Sequence, residues 1–430
     1  MTGERFVRGG LPRQVQSDLE AAAALTFPEP FAQVFTTGLA QLAALADHFA
    51  RYLCLEIAAA EEWEPVLATP VAPAELMRCR GYPECAEPLI TYVLRQLAAG
   101  GWVTRRGGGT FCAALPWPLS EAAAIRAHAE QMDARSNRTF ALYAKAATVF
   151  APALRGDGCA EQLFLGSRAL RLWLDYFDNE NVLYGVGNQL LALVASDCVA
   201  ELAAGDDAST EGSSYLRERA PQGVRILELG AGGGSACQAI LAHLNKTGLT
   251  PCVSEYVVSD RERTLLGFAR RALSEAPAAS ALRYLEIDFE RDLGAQGVAL
   301  GSFDMIVAAN ALHAAKDLVP SLRRVSACLR PGGRLLISEG VRPVAEAPLG
   351  PELFFLLMRS FSEVTLDPEL RPNAGFLAPR QWGALLAHAG FDDVRTVPDF
   401  EAAGSPFASC TTATFRATLP NNQGLRYRVQ

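Results

Sequence analysis

The chain has 430 residues, half of them hydrophobic, and a formal net charge of −8. This length is generous for one domain and comfortable for two, and the acidic balance disfavours nucleic acid or an anionic membrane surface as the main partner. No uninterrupted apolar run reaches the roughly 18 residues of a membrane-spanning helix, and the first residues lack the apolar core of a signal peptide. We therefore expect a cytoplasmic protein with neither a membrane nor a nucleic acid as its partner.

The first predicted domain covers residues 1–120 and is mainly helical. An amphipathic helix over 35–59 is followed by two short helices over 73–80 and 87–99 and by a small hairpin over 100–112. This order is typical of a winged helix, which can place its second helix in a DNA major groove. Carboxylates outnumber arginines here and no lysine is present, so we favour a dimerisation and site-covering module over a DNA-binding one.

The second predicted domain, residues 121–215, is a helical connector. A polar interruption at 175–183 precedes a long helix over 184–202, and the small polar run at 206–214 is typical of an exposed linker or loop. The third domain, 216–430, shows alternating strands and helices, the pattern of a doubly wound parallel sheet.

Seven strands are predicted in the third domain. The first five lie over 224–229, 254–259, 282–287, 303–309 and 333–338. After a helix over 379–389, strands over 393–397 and 411–419 are joined by a loop alone, which predicts an antiparallel pair. The predicted fold class is therefore α/β: a Rossmann-like seven-stranded domain behind a mainly helical, winged-helix-like N-terminal domain.

A glycine loop follows the first of these strands. Glu228, Gly230, Gly232 and Gly234 form the pattern Glu-x-Gly-x-Gly-x-Gly at the start of a helix. Glycine lets a ligand approach the backbone, and a helix N-terminus presents unpaired N–H groups. Ser235 breaks the dinucleotide fingerprint, and a P-loop would need a lysine. The pattern resembles the first motif of class I methyltransferases that use S-adenosyl-L-methionine (SAM), and this resemblance implies that SAM is the cofactor and that these four residues bind it.

Carboxylates end the second and third strands of the predicted sheet. Asp260 follows the second strand, where a carboxylate can accept hydrogen bonds from ribose hydroxyls; it can also cap the next helix. Asp288 and Phe289 follow the third strand. In the methyltransferases that the loop resembles, an acid here binds the adenine amino group and an apolar neighbour lies on the ring. We predict all three as cofactor-binding residues.

Polar side chains also end the fourth and fifth strands. Asn310 and His313 follow the fourth strand and Glu339 ends the fifth. Ligands bind at the carboxyl ends of parallel strands, so an imidazole and a carboxylate can meet there. Histidine can remove a proton near neutral pH, and a carboxylate fixes its tautomer. We predict His313 and Glu339 as catalytic and Asn310 as cofactor-binding; the alternative is a strand-end histidine beside a solvent-facing carboxylate.

A second resemblance covers about residues 215–345. The run Asn-Ala-Leu-His-Ala at 310–314, then Arg-Pro-Gly-Gly and a strand ending in Glu339, resembles the C-methyltransferase domains of polyketide synthases. That resemblance implies a His–Glu pair that forms an enolate at the α-carbon of a β-ketoacyl chain, a small-molecule substrate that is free or tethered to a carrier protein. C-methylation of a secondary-metabolite intermediate is therefore the favoured function.

Two departures keep alternatives open. Ala314 and Ala315 stand where those enzymes usually have Asp-Trp after the histidine. A winged-helix-like front is more typical of free-standing O-methyltransferases, and this resemblance implies that the chain forms a homodimer. O-methylation of a secondary metabolite, a SAM-binding winged-helix regulator and a non-methylating SAM-dependent step are the competing hypotheses.

Candidate substrate-binding residues come from two segments. One is an aromatic and methionine-rich stripe, a pattern equally typical of a hydrophobic core, which also includes Phe361 and Trp382. The other is the helix before the glycine domain, where two polar residues stand one turn apart. The predicted substrate-binding residues are Tyr184, Asn188, Phe355, Met358 and Arg359.

No metal site is predicted. The ten cysteines contain no Cys-x-x-Cys pair, and the five histidines show no metal-binding spacing. Scattered cysteines are typical of free thiols in a reducing compartment rather than of a disulfide framework or a zinc site.

Overall fold

A computed structural model describes residues 11–114, 116–166, 169–204, 223–343, 347–401, 405, 407 and 410–421. The chain divides into two compact units. The first comprises the described parts of Met1–Tyr176, Glu180–Leu183 and Glu346–Ser362, and the second those of Phe177–Asn179, Tyr184–Ala345 and Glu363–Gln430. The helices directly after residue 120 pack against the N-terminal helices and fall in the same unit, whereas a boundary was predicted at 120. The boundary predicted at 215 lies outside the described residues. The run at 206–214 lies outside the described residues.

The first unit is built mainly from helices. Its N-terminal part contains α1 Arg13–Ala23, α2 Thr37–Ala60, α3 Trp63–Val66, α4 Pro73–Arg80, α5 Glu87–Ala99, α6 Ala122–Met132, α7 Asn137–Arg155, α8 Ala160–Leu165 and α9 Ala169–Tyr176. Thr36 caps α2 by accepting a hydrogen bond from the Leu39 N–H at 3.1 Å. Proline in the first turn of α4 and of α5 costs no helical hydrogen bond.

A two-stranded antiparallel hairpin follows α5. It pairs β1 Val103–Arg105 with β2 Phe111–Ala113. The two short helices and the hairpin therefore lie where the sequence predicted them. The winged-helix interpretation of this order, and the dimer that it implied, stay predictions.

The second unit contains the large sheet. Its strands are β3 Val224–Leu229, β4 Val253–Asp260, β5 Leu282–Glu286, β6 Phe303–Ala309, β7 Leu329–Gly340, β8 Asp392–Val397 and β9 Thr412–Thr418. They lie in the order β5-β4-β3-β6-β7-β9-β8. The first five are parallel, and β9 is antiparallel to both β7 and β8. The predicted seven-stranded sheet with an antiparallel closing pair is confirmed.

Helices cover both faces of this sheet. In chain order they are α10 Val182–Ala204, α11 Ser235–Lys246, α12 Arg263–Ala272, α13 Leu318–Ser326 and α16 Pro379–His388. The two short helices between α13 and α16, α14 Glu352–Phe355 and α15 Arg359–Ser362, belong to the first unit. Successive residues of β3 serve opposite faces: Ile226 packs in the core under α10 and α11, and Leu227 in the core under α13 and α16. Two covered faces explain why the strands are almost continuously hydrophobic.

The helix α10 is long and apolar enough to cross a membrane by length and composition alone. However, 72% of its most apolar window is buried within the protein. Its side chains Leu191, Ala195 and Val199 are fully buried and belong to the core of the sheet, so in this structure α10 serves as a core helix.

Candidate active site

The glycine loop between β3 and α11 is held open by left-handed backbone. Gly230 and Gly232 have φ of 66° and 54°, a region that favours glycine. A Cβ atom on Gly230 would lie 2.5 Å from the Cβ of Ala311, whereas one on Gly232 would meet nothing within 4 Å. Gly230 is therefore needed for packing, and the backbone at Gly232 faces open space that a ligand can enter. A Cβ on Gly234 would crowd Ala269 at 3.2 Å.

Asp260, at the end of β4, holds the glycine loop from the neighbouring strand. Its Oδ2 accepts a hydrogen bond from the Gly232 N–H at 2.9 Å, and its Oδ1 accepts one from the Glu262 N–H at 2.8 Å. The side chain is buried, and burial raises the pKa of its carboxyl group. Each oxygen retains a second lone pair, so this carboxylate fits the ribose contact predicted from the sequence, which stays a prediction.

Glu228 lies beneath the same loop, almost completely buried. The Tyr256 hydroxyl donates a hydrogen bond to its Oε2 at 3.0 Å, and no described donor is in hydrogen-bond geometry with its buried Oε1. Burial raises the pKa of Glu228 to about 7. A buried carboxylate oxygen beside an open loop fits the ammonium group of SAM.

The titration of Glu228 predicts a pH dependence of stability in the SAM-free protein. Its folded-state pKa of about 7 lies above the ordinary 4.5. Between pH 4.5 and pH 7, Glu228 is therefore protonated in the folded state and ionised in the unfolded state. Its stabilising contribution is complete below pH 4.5 and is lost as the pH rises through 7, by up to about 3 kcal/mol. Urea unfolding between about pH 5 and pH 8 measures this loss.

The matched control is Glu228→Gln, whose amide cannot ionise. The free energy of unfolding of the wild type should fall, relative to this variant, as the pH rises from about 5 to about 8. A constant difference across that range would contradict the assignment of a raised pKa to Glu228.

Tyr184 and Asn188 lie on α10 beside the N-terminus of α11. The Asn188 amide donates to Asn179 Oδ1 at 2.9 Å and to Ser235 Oγ at 3.1 Å, and the Asn179 amide donates to the Ser235 carbonyl at 2.8 Å. Burial raises the pKa of the Tyr184 hydroxyl, and hydrogen bonds with Ser235, Asn310 and Asn188 oppose that rise. The pair thus organises the first turn after the glycine loop, while direct contact with a substrate stays a prediction.

Asp288 and Phe289 lie after β5 on a partly exposed turn. Asp288 Oδ1 accepts a hydrogen bond from the Glu290 N–H at 2.9 Å, its Oδ2 lies 3.3 Å from Arg291 Nε, and its N–H donates to Gln296 Oε1 at 2.8 Å. Phe289 packs partly buried against the sheet core. The adenine contacts predicted for these two residues stay predictions.

His313 and Glu339 are in direct contact at the carboxyl ends of β6 and β7. His313 Nδ1 lies 2.6 Å from Glu339 Oε2, and the His313 backbone N–H donates to Oε1 at 3.2 Å. The exposed fractions are 2% for His313 and 0% for Glu339, so Glu339 does not face solvent. A carboxylate at Nδ1 favours the tautomer that carries its proton there, which leaves the basic lone pair on Nε2.

Asn310 fixes the turn that leads to His313. Its φ is 47°, a conformation that asparagine tolerates. Its N–H donates to the Ser338 carbonyl at 2.7 Å, and its Oδ1 accepts a hydrogen bond from the Gly340 N–H at 3.2 Å. Asn310 therefore joins the ends of β6 and β7, and its predicted contact with the cofactor stays a prediction.

Two residues against the His313–Glu339 pair have no sequence signal. Arg371 donates from Nη2 to the His313 carbonyl at 2.7 Å and from Nη1 to the Ala315 carbonyl at 2.6 Å. The Phe376 ring centroid lies 5.1 Å from that of the His313 imidazole. Both residues lie between α15 and α16 in a stretch without helix or strand periodicity, so sequence patterns give no reason to select them.

The remaining predicted substrate-binding residues belong to the first unit. Phe355 and Met358 are buried, and the Phe355 ring lies 4.4 Å from that of Phe354, in an aromatic cluster. Arg359 is exposed. Their contact with a substrate stays a prediction. Trp382, in the second unit, is fully buried near Phe415 and belongs to the core of the sheet, the alternative that the aromatic stripe left open.

The described residues contain no cluster of three or more His, Cys, Asp or Glu side chains that could hold a metal ion. The site is thus made of a glycine loop, buried carboxylates and the His313–Glu339 pair.

The family comparison matches the part of the chain that carries these features. A family profile described as "Methyltransferase domain" matches residues 227–335, from β3 into β7. With the seven-stranded fold and the fit of the loop to SAM, this match defines the class: the chain carries a class I SAM-dependent methyltransferase domain.

Polyketide synthases are among the curated relatives of this chain. The highly reducing polyketide synthase otaA of Aspergillus carbonarius is 31% identical over 197 residues, which are 44% of this chain and 8% of otaA. Polyketide synthase ThaQ of Burkholderia thailandensis is 31% identical over 176 residues, 41% of this chain and 8% of ThaQ. The matched region is therefore less than a tenth of these relatives. In sequence, the methyltransferase domain is therefore similar to a segment of these polyketide synthases.

Solved structures share the fold of nearly the whole chain. The CurJ carbon methyltransferase matches with a TM-score of 0.73 at 21% identity, over 95% of this chain and 98% of that one. The DszA carbon methyltransferase matches with a TM-score of 0.70 at 19% identity, over 98% of both chains. These matches include the N-terminal helices. The front of the chain therefore does not distinguish its fold from that of the carbon methyltransferases, although the sequence had suggested such a difference.

Proposed function

We propose that this chain methylates the α-carbon of a β-ketoacyl thioester, with SAM as methyl donor and His313 as general base. The observation that carries the proposal is the buried His313–Glu339 pair at the carboxyl edge of the sheet. Methyl transfer to a C–H or O–H acid requires a base that removes the proton, and a buried imidazole held by a carboxylate can serve as that base. The polyketide synthases among the relatives are consistent with a β-ketoacyl acceptor.

In the proposed reaction, His313 and Glu339 have different roles. His313 Nε2 takes the α-proton, and the electrons of the C–H bond remain on the acceptor as an enolate. When bound, SAM would supply an electrophilic methyl group to the enolate carbon, with S-adenosyl-L-homocysteine as the leaving group. The imidazolium then gives its proton to water. Glu339 holds Nδ1–H and stabilises the imidazolium, an interaction that burial strengthens.

The residues around the glycine loop are proposed to hold SAM. We propose that Glu228 and the backbone from Gly230 to Gly234 bind its amino-acid end, that Asp260 binds the ribose, and that Asp288 and Phe289 bind the adenine. The open space over Gly232 and the buried Glu228 carboxylate support this assignment.

Proton removal can be measured without methyl transfer. A β-ketoacyl N-acetylcysteamine thioester is incubated in D2O with the protein and S-adenosyl-L-homocysteine, and deuterium at the α-carbon is followed by mass spectrometry. We expect the wild type to accelerate exchange over the buffer rate and His313→Gln to return it to that rate. Wild-type exchange no faster than buffer would contradict the proposed base.

We also propose that the natural acceptor is a thioester on a carrier protein, since polyketide synthases are among the relatives of this chain. Transfer from SAM to the same acyl chain on a phosphopantetheinylated carrier and on N-acetylcysteamine compares the two forms. A higher kcat/KM for the carrier-bound acyl chain supports the proposal, and equal values contradict it. A cytoplasmic location and a homodimer remain proposals.

A further inference from the structure

Arg371 is a cation buried inside the protein rather than exposed at its surface. Only 2% of the residue is exposed. Two nitrogens of its guanidinium donate to the backbone carbonyls of His313 and Ala315, at 2.7 and 2.6 Å. Burying a charge costs free energy unless hydrogen bonds and counter-charges offset it. The position of this guanidinium on the two carbonyls that flank Ala314 therefore suggests a role beyond filling space.

The segment around Arg371 is itself fixed against the proposed catalytic strands. The backbones of Asp367 and Arg371 exchange two hydrogen bonds of 2.9 Å, and Leu377 pairs with Val341, directly after β7. A Cβ on Gly340 would lie 2.9 Å from the Phe376 ring, so the absence of a side chain at Gly340 lets that ring reach the imidazole. The stretch 367–377 thus contacts His313 through both Arg371 and Phe376.

The charges around Arg371 also connect it with the base. The carboxylates that interact favourably with its guanidinium are Glu339, Glu290 and Asp317, in that order. Burial lowers the pKa of Arg371 to about 10, against the effect of these carboxylates, which leaves it protonated near neutral pH. Glu339 therefore interacts with two groups, the imidazole of His313 and the cation of Arg371.

We propose that Arg371 is a positioning residue for the general base: its guanidinium fixes the backbone on both sides of Ala314 and balances the charge of Glu339, so that His313 keeps one orientation and one tautomer. This inference rests on the proposed function of His313. A planar fork can bind two carbonyls at once, which an ammonium group does less well. A small misplacement of a catalytic group is sufficient to cost about 10²-fold in rate.

The test compares Arg371→Met, which removes the charge, with Arg371→Lys, which keeps the charge without the fork. Arg380→Met is the matched control, because Arg380 is an exposed arginine that pairs with Glu401. For each protein the kcat and KM of methyl transfer to a β-ketoacyl thioester, the dissociation constant of SAM and the melting temperature are measured. The His313 tautomer is read from ¹⁵N-histidine NMR, with His313→Gln for assignment.

We expect Arg371→Met to lower kcat by about 10²-fold, with KM and SAM affinity within about threefold of the wild type, and to give a mixture of His313 tautomers. The kcat of Arg371→Lys should lie between those of the wild type and Arg371→Met, and the kcat of Arg380→Met should equal that of the wild type. The proposal is overturned if Arg371→Met keeps the wild-type kcat and tautomer, or if SAM affinity, KM and kcat fall together while the tautomer is unchanged, which would mean a general structural role.

Two further results remain decisive. If Arg371→Met does not fold, Arg371→Lys decides: wild-type kcat and tautomer in that variant overturn the proposal. If the wild type itself shows neither α-proton exchange nor methyl transfer, the proposed function has failed, and the tautomer comparison still shows separately whether Arg371 positions His313.

Discussion

His313→Ala is expected to lower kcat for methyl transfer by about 10²- to 10⁴-fold, the usual contribution of a general base. The affinity for SAM should stay within about threefold of the wild type, because Asp260 holds the glycine loop, whereas His313 pairs with Glu339 at the ends of other strands. Isothermal titration measures SAM binding, and single-turnover transfer to a β-ketoacyl thioester measures the chemical step.

A second variant at this position separates catalysis from stability. Alanine removes the imidazole from Oε2 of the buried Glu339 carboxylate, and the loss of this partner itself destabilises the fold. His313→Gln keeps a hydrogen-bond donor for Glu339 but provides no base, and it should show the same loss of kcat with a smaller loss of stability. His388→Ala is the matched control, since His388 is an exposed histidine on α16. Parallel loss of SAM affinity, stability and kcat in His313→Gln would identify a structural histidine.

Asp260→Ala is expected to raise the dissociation constant of SAM by about 10²-fold. The variant loses the two carboxylate hydrogen bonds to the N–H groups of Gly232 and Glu262, and hydrogen bonds to a charged group contribute about 1.5 to 3 kcal/mol each. It also loses the proposed acceptor for the ribose. Titration of SAM and of S-adenosyl-L-homocysteine checks the effect.

Two companion variants sharpen this prediction. Asp260→Asn keeps the size and one acceptor oxygen, so its affinity should lie between those of the wild type and Asp260→Ala. Asp288→Ala removes a partly exposed carboxylate and should weaken SAM binding less, by about tenfold. Unchanged SAM affinity in Asp260→Ala, with a folded protein, would show that the ligand does not bind at this edge of the sheet.

The fold of the second unit was largely predictable because its strands carry strong local signals. Apolar runs, the left-handed glycines and the spacing of strands and helices all reflect constraints within a few residues. The ends of individual strands were less predictable. The strand β7 begins at Leu329, four residues before the predicted start, because the turn residues Arg330 to Gly333 are included in the strand.

Contacts between distant segments were the part that sequence patterns missed. Glu352 to Ser362 belong with helices from the first 176 residues, and an aromatic stripe alone does not reveal which unit it packs in. Arg371 binds a carbonyl 58 residues away, and no periodicity marks such a pairing. His313 and Glu339 could be paired in advance because both end neighbouring parallel strands, so their proximity follows from the sheet itself.

The most direct test of the central proposal is where the methyl group goes. The protein is incubated with SAM carrying a ¹³C-labelled methyl group and a β-ketoacyl thioester, and the product is analysed by mass spectrometry and ¹³C NMR. We predict a product heavier by one labelled CH2, with the ¹³C methyl bonded to the α-carbon, and no such product with His313→Gln. A methyl group on oxygen, or equal transfer by His313→Gln, would contradict carbon methylation by the His313–Glu339 pair.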